Sequence, residues 1–493
     1  MPRAMHNITD PLAAVRHLRA QVAAEGRTTY RRWRPAIGRA GFAASALNLA
    51  HYIAVRHHDL RPLQRVLMRY GVSSLGRLEG RVLVTLDAVA NVLAHETNKR
   101  VWPPSVRRFF RGEDRLRANA ATLFGKAPDG RAVRILVTLG AEAATDPGYV
   151  RQLADAGADA VRINCAHDDA TVWAAMIAST RAASAATGRP LRVLMDIAGP
   201  KIRTGALRRP DDNRRMQPGD TLVLLPDAGL LDAPDLTGFR VVCEPGSVLA
   251  SIAVGAEVAL DDGKLGGVVE SLRPDGGVVM RVQRTKFGGV KLKPEKGVNF
   301  PGSDLHLDPL TAKDLADLDF VAAHADLIGY SFVQRPDDVT RLQAELAARR
   351  PKDWAKIGLI AKIETLHAVQ NLPDIIVRAA GRQPFGVMIA RGDLAVEIGF
   401  ARLAEMQEEI LWLCEADQVP VVWATQVLEE MVKSGLPTRG EMTDAAMSSR
   451  AECVMLNKGP NVAGAVTALD ALLRRMAEHQ NKKTSRMRVL HAW

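Results

Sequence analysis

Lys362 and Glu364 close the run Lys356-Ile-Gly-Leu-Ile-Ala-Lys-Ile-Glu364, which is otherwise apolar apart from its opening lysine. It reads as a buried strand ending in a cation and an anion, and side chains at i and i+2 share one face of a strand. Burying a lone ammonium or carboxylate is costly, so two of them at the exit of a core strand suggest a site that uses charge. The pattern recurs. Arg162 and Asn164 end Ala160-Val-Arg-Ile-Asn164, and Asp196 ends Leu191-Arg-Val-Leu-Met-Asp196. Arg391 and Asp393 follow Gly386-Val-Met-Ile-Ala390, and Thr425 follows Pro420-Val-Val-Trp-Ala424. Five strands would converge on one polar rim.

The segments between these strands have helix periodicity: 147–157, 171–188, 311–324, 337–349, 365–380, 400–417 and 461–480. With 133–139, 327–332 and 453–456 as further strands, eight βα units run from about 130 to 480, the pattern of a TIM barrel whose chemistry lies at the C-terminal ends of its strands. The expected class is therefore α/β, a (β/α)8 barrel formed by residues 126–203 and 302–493. Residues 204–301 interrupt it with short β-type runs, 221–225, 257–260 and 278–282, and with the turn signals Asp261-Asp262-Gly263 and Asp275-Gly276-Gly277. They are expected to form a small inserted β-barrel that acts as a lid, because the insertion begins at the catalytic face. Residues 1–125 read as an all-α domain with helices over 10–24, 44–58, 60–70 and 76–93, the last capped by Ser73-Ser74. Pro103-Pro104 and the charged stretch 107–117 read as the connection to the barrel. Because they precede the first strand, these helices are expected near the barrel's N-terminal face or side, away from the lid.

A chain of 493 residues can hold two or three domains. No apolar run approaches a membrane span and the start lacks the apolar stretch of a secretory signal, so the expected location is cytoplasmic, with an Arg-rich organellar leader as the alternative. Cys165, Cys243, Cys414 and Cys453 show no CxxC spacing and read as reduced packing residues. The net charge of +11 is concentrated at the start: residues 1–131 carry 23 Lys and Arg against 9 Asp and Glu. Arginine interleaved with aromatics in Arg27-Thr-Thr-Tyr-Arg-Arg-Trp-Arg34 would suit nucleic acid or an acidic partner. No RRM, KH or zinc-finger pattern accompanies it, which favours a solvated basic helix face.

From about 130 to 480 the chain resembles the pyruvate kinase family. The stretches that carry the resemblance are 160–167, Asp196-Ile-Ala-Gly-Pro-Lys-Ile-Arg-Thr-Gly205, 261–263, Lys296-Gly-Val-Asn-Phe-Pro-Gly302, 361–364, Ala390-Arg-Gly-Asp-Leu394, 424–431 and Pro437-Thr-Arg-Gly-Glu441, in the family's order. The resemblance implies transfer of the phosphoryl group of phosphoenolpyruvate to ADP, with Glu364 and Asp393 as ligands of Mg²⁺ or Mn²⁺. Lys362 and Arg162 would meet the phosphoryl group, Gly392, Asp393 and Thr425 the substrate carboxylate, and Arg203 the shared polar network. His167 and Lys296 would face the nucleotide, and Asn164 and Asp196 the monovalent-cation region. The resemblance also implies a homo-oligomer that binds phosphoenolpyruvate or pyruvate and ADP or ATP.

Several positions depart from the family's pattern. Lys201 replaces a glutamate and Ala166 a serine, which together imply a potassium-independent branch, the ammonium supplying the charge of the ion. Asn457-Lys-Gly-Pro460 replaces a Ser-Gly-Glu-Thr loop associated with protonation of the enolate, and Gly140-Ala-Glu142 replaces a Gly-Pro-Ala-Ser type of loop on the nucleotide side. The end at Trp493, directly after the last barrel helix, would leave out the family's C-terminal effector domain. Two other readings stand beside phosphotransfer: a related barrel enzyme that stabilises a pyruvate enolate for lyase or aldolase chemistry, and a catalytically impaired sensor.

Overall fold

The structure, a computed structural model, describes residues 10–95, 103–211, 214–305 and 307–486. The expected end at Trp493 lies outside the described residues. Eight parallel strands form a closed barrel: β1 (Arg134–Thr138), β2 (Ala160–Asn164), β3 (Arg192–Asp196), β4 (Leu327–Tyr330), β5 (Gly358–Ile363), β6 (Phe385–Ala390), β7 (Val421–Ala424) and β8 (Cys453–Leu456). Each pairs with its neighbours in chain order, and β1 closes on β8 through the register Arg134↔Cys453. Helices such as Pro147–Ala156, Ala170–Thr187 and Val462–His479 connect the strands and bury their apolar stripes against the outer face. The segment 365–380, expected as one helix, is two, Leu366–Gln370 and Leu372–Ala380, because Asn371 and Pro373 restart the chain.

Between β3 and β4 lies a seven-stranded sheet in the order Val298–Asn299, Glu257–Leu260, Leu265–Leu272, Val278–Thr285, Thr221–Leu225, Phe239–Glu244 and Arg203–Arg208. Its two end strands meet: Val298 N–H donates to Ile202 O at 2.9 Å and Thr204 N–H to Lys296 O at 2.8 Å, so the sheet closes around its own apolar core. The turn Asp261-Asp262-Gly263, all at positive φ, lies against Val396 of the barrel helix Arg391–Ile398. Four cysteines are free and buried.

The first 125 residues contain helices α1 (Pro11–Trp33), α2 (Ala43–Arg56), α3 (Arg61–Arg69), α4 (Val82–His95) and α5 (Val106–Phe124). Two sequence expectations are corrected here. The charged stretch 107–117 is no connector: it is the first half of α5, whose N-cap Ser105 accepts the Arg108 N–H and whose buried residues lie in its second half, at Leu116, Ala120, Leu123 and Phe124. Nor do Ser73 and Ser74 cap α4, which starts only at Val82. Its Val82 N–H is taken by Asn48 Oδ1 of α2 at 3.0 Å, while Ser73 Oγ serves Leu75 N–H. Leu123 and Phe124 join Leu136, Leu194, Leu327, Ile360 and Met388 in the barrel's interior cluster, so the end of α5 plugs the barrel at its N-terminal end.

Candidate functional site

Alternate residues of the barrel strands face inward, and on five strands they change from apolar at the N-terminal end to polar at the C-terminal end. Ile360 is followed by Lys362 and then Glu364, Ala160 by Arg162 and Asn164, Leu194 by Asp196, Leu327 by Gly329 and Ser331, and Leu136 by Thr138. These columns end around one cavity of about 310 Å³, lined among others by Arg162, Asn164, Lys201, Arg203, Lys362, Glu364, Asp393 and Thr425. Eight residues singled out from sequence therefore meet in one place.

Asp196 lies beneath the cavity, fully buried, and organises its cations. Its Oδ2 accepts Arg162 Nε–H at 2.7 Å and lies 3.4 Å from Lys362 Nζ. Burial alone would raise this carboxyl, but the charges of Lys362 and Arg162 outweigh it and hold it below the ordinary carboxylate range. Lys362 Nζ also donates to Ser331 Oγ at 2.8 Å and meets Glu364 Oε1 at 3.1 Å. Burial pulls this ammonium down, yet Asp196 and Glu364 leave it above its usual value, so it stays charged. Arg162 reaches Thr138 Oγ1 at 3.3 Å. Two cations held rigidly over one buried carboxylate form a preorganised receptor for negative charge.

Glu364 is 2 % exposed and accepts the Phe332 N–H at 2.6 Å. Burial raises its carboxyl above the normal range, and the charge of Asp393 adds to that, while Lys362 opposes it. Asp393 is paired with Lys201, Nζ to Oδ1 at 2.8 Å. Two carboxylates that feel each other's charge at one cavity fit a divalent cation in kind. Among the described residues no group of three or more His, Cys, Asp or Glu could hold a metal ion, so the remaining ligands would be substrate or water oxygens, an arrangement Mg²⁺ accepts. Arg391, a neighbour on the rim, is committed elsewhere: it pairs with Asp444 and donates to Ala424 O and Thr425 O.

Thr425 stands at φ 65°, an unusual conformation for a β-branched residue, and Gln426 and Leu428 follow at positive φ. This turn brings Thr425 Oγ1 to the Gly392 N–H, 2.9 Å, at the start of helix Arg391–Ile398. The monovalent-cation residues divide: Asn164 and Asp196 are register partners on β2 and β3, whereas Lys201 points to Asp393. Arg203 lies where the inserted sheet leaves the barrel and donates to Glu295 O at 3.3 Å. His167 and Lys296 do not line the cavity. Lys296 is 3.5 Å from Asp261 in the inserted sheet domain, and the His167 imidazole is lowered by burial and then by the charges of Lys458 and Arg203. The sequence reading missed Ser331, Thr138 and the Phe332 N–H. Ser331 continues the inward column of Leu327 and Gly329, a period-2 signal that a neutral side chain leaves inconspicuous.

A family model described as the barrel domain of pyruvate kinase matches residues 130–466. The pyruvate kinase of Hypocrea jecorina is 32 % identical over 344 residues, 69 % of this chain and 61 % of that protein. The pyruvate kinase of Geobacillus stearothermophilus is 33 % identical over 337 residues, 68 % of this chain and 54 % of the other. A crystal structure of a pyruvate kinase from Cryptosporidium parvum aligns with a TM-score of 0.63 at 28 % identity, covering 72 % of each chain. This chain spans somewhat over half the length of the curated relatives it matches.

Proposed function

Because the chain belongs to the pyruvate kinase family, we propose that it transfers the phosphoryl group of phosphoenolpyruvate to ADP, forming pyruvate and ATP in the cavity above Asp196. The observation that carries this reading is the pair of cations, Lys362 and Arg162, fixed by one fully buried carboxylate beside two further carboxylates. In the transfer the bond between phosphorus and the enol oxygen breaks while one forms to a terminal oxygen of ADP, and the enolate carbon then takes a proton. Lys362 and Arg162 bind the migrating group and oppose its charge, a contribution typically worth about 10²–10³ in rate. Glu364 and Asp393 would hold Mg²⁺ or Mn²⁺, whose positive charge would oppose the negative charge that develops at the site. Thr425, Gly392 and the first turn of helix Arg391–Ile398 receive the substrate carboxylate. Arg203, His167 and Lys296 face the diphosphate on the lid side. Lys201 supplies a fixed positive charge in place of a potassium ion, through its bond to Asp393, with Asn164 and Asp196 completing that region. A cytoplasmic homo-oligomer belongs to the same reading and rests on kinship alone. Among the described residues no helix is long and apolar enough to cross a membrane.

The test is pyruvate release from phosphoenolpyruvate and ADP, followed with and without Mg²⁺ and with KCl added at constant ionic strength. Activity should require the divalent ion, ignore K⁺, and fall at least about 10²-fold in Lys362→Ala and Glu364→Ala. Full turnover in either folded variant would overturn the assignment. Consumption of a pyruvate enolate with an aldehyde, without phosphotransfer, would favour the lyase reading.

A further inference from the structure

A cavity of about 460 Å³ lies at the opposite end of the barrel, between α5, the turn Glu79–Arg81, the approach to β1, the loop before β8 and the hairpin Gln480–Ser485. Its floor is apolar, with Leu116, Ala120, Ala121 and Val133, and its rim is cationic. The carboxylates that face it are already engaged: Glu113 with Arg81 at 2.5 Å, Glu415 with Arg77 at 2.9 Å, and Glu452 with Lys482. Arg134 is different. It is 4 % exposed, and its guanidinium donates only to carbonyls, Gly125 O at 2.8 and 3.1 Å and Ala132 O at 2.8 Å. No carboxylate pairs with it among the described residues. Arg131, three positions earlier and 3 % exposed, shows the contrast, since Asp159 at 2.7 Å and Asp470 at 2.6 Å enclose it. One short loop therefore neutralises a buried arginine twice and leaves the next, the one facing the cavity, without a carboxylate in ion-pair contact among the described residues, although the charges of Asp159 and Glu452 act on it. Burying a cation this way is costly unless something pairs with it. Lys126 stands exposed on the same rim, also without a partner among the described residues. The size, apolar floor and few convergent polar groups are those of a small-molecule site.

We propose that this cavity binds an organic phosphate monoester, its phosphate between Arg134 and Lys126 and a compact apolar body on the Leu116–Ala121 floor. A dianion suits two unpaired cations, and the enclosed floor selects against bare phosphate. The walls come from the helical region and from the N-terminal ends of β1 and β8, so the inference is independent of the phosphotransfer reading.

Titration calorimetry on the full chain tests it, with phenyl phosphate and inorganic phosphate as probes. Phenyl phosphate should bind at millimolar affinity or tighter, and inorganic phosphate at least about tenfold more weakly. Lys126→Glu inverts an exposed rim charge without touching the core, and Ala121→Trp fills the floor; each should weaken phenyl phosphate at least about tenfold, whereas Arg162→Ala, which alters the other cavity, should not. Absence of binding to the wild type, unchanged affinity in both cavity variants, or loss in Arg162→Ala would overturn the site. Equal affinity for the two probes would overturn the apolar half of the ligand.

Discussion

Asp196 shows how one residue can set the chemistry of a site that it does not itself enter. Its inward-facing carboxylate fixes Arg162 and Lys362 from below, and the column beside it must stay clear: a Cβ on Gly329 would lie 2.6 Å from Asp196 Oδ1. Because its cations hold the folded carboxyl below its ordinary value of 3.8, its contribution to stability is present above that value and is lost as pH falls through the lower folded one. Asp196→Asn should therefore destabilise the chain by about 3 kcal/mol at neutral pH, leaving two buried cations under-compensated. The deficit relative to wild type should shrink only below about pH 4, and catalysis should fall with it. Denaturant unfolding of both proteins at neutral pH and in acid measures this; an equal deficit at every pH would mean that the Asp196 charge contributes nothing. Asp196, Lys362 and Glu364 were legible in the sequence because a charge at the end of an apolar strand is conspicuous. Gly329 and Ser331 were not, since a glycine and a neutral hydroxyl carry no such signal. The Lys201–Asp393 pair joins residues 192 positions apart, and no local pattern announces it.

At the scale of elements, the inserted sheet and the barrel are joined near helix Arg391–Ile398, which carries Asp393 into the cavity and meets the turn Asp261–Gly263 at Val396. Its Glu397 accepts the N–H groups of Gly302, where the chain returns from the lid, and of Leu366. Burial, helped by the charge of Asp393 and opposed by those hydrogen bonds, raises its carboxyl from 4.5 to about 7. A folded value above the unfolded one means that its stabilising contribution is complete below about pH 4.5 and disappears as pH rises through 7. Glu397→Gln should flatten the decline of stability between those limits by up to about 3 kcal/mol, read from melting curves across pH. A variant that declines as steeply as wild type would clear Glu397 of this role. Barrel strands such as Cys453–Leu456 were legible from apolar runs and the turns around them. Helix α5 was not, because its first half is dense in charge and its burial depends on a barrel end that only tertiary structure supplies. Strand Leu265–Leu272 of the inserted sheet begins with Leu265-Gly266-Gly267, which masks its alternation.

For the molecule as a whole, the question is whether the helical region and the barrel are separate stability units. One apolar cluster runs without a break from Val15 and Leu49 through Ile410 and Ala416 to Leu473. Polar ties reinforce it: Gly38 and Arg39 N–H groups both donate to Gly381 O, Asn48 bridges Glu79 O and Ala416 O, Asn119 reaches Gln418 O, and Trp33 Nε1 donates to Asp374 at 2.6 Å. Removing the helices would expose the outer face of Phe400–Ala416 and leave those carbonyls unpaired, a cost far above that of opening a hinge between independent domains. Full-length protein should accordingly unfold on heating in one calorimetric transition that includes the N-terminal helices, and a chain beginning at Leu123 should aggregate rather than melt cooperatively. Phe124→Ala, at the junction inside the barrel, should cost about 3–5 kcal/mol and shift that single transition as a unit. Two resolved transitions, only one of them moved by Phe124→Ala, would show that the helical region folds on its own and that its shared core with the barrel is merely a contact.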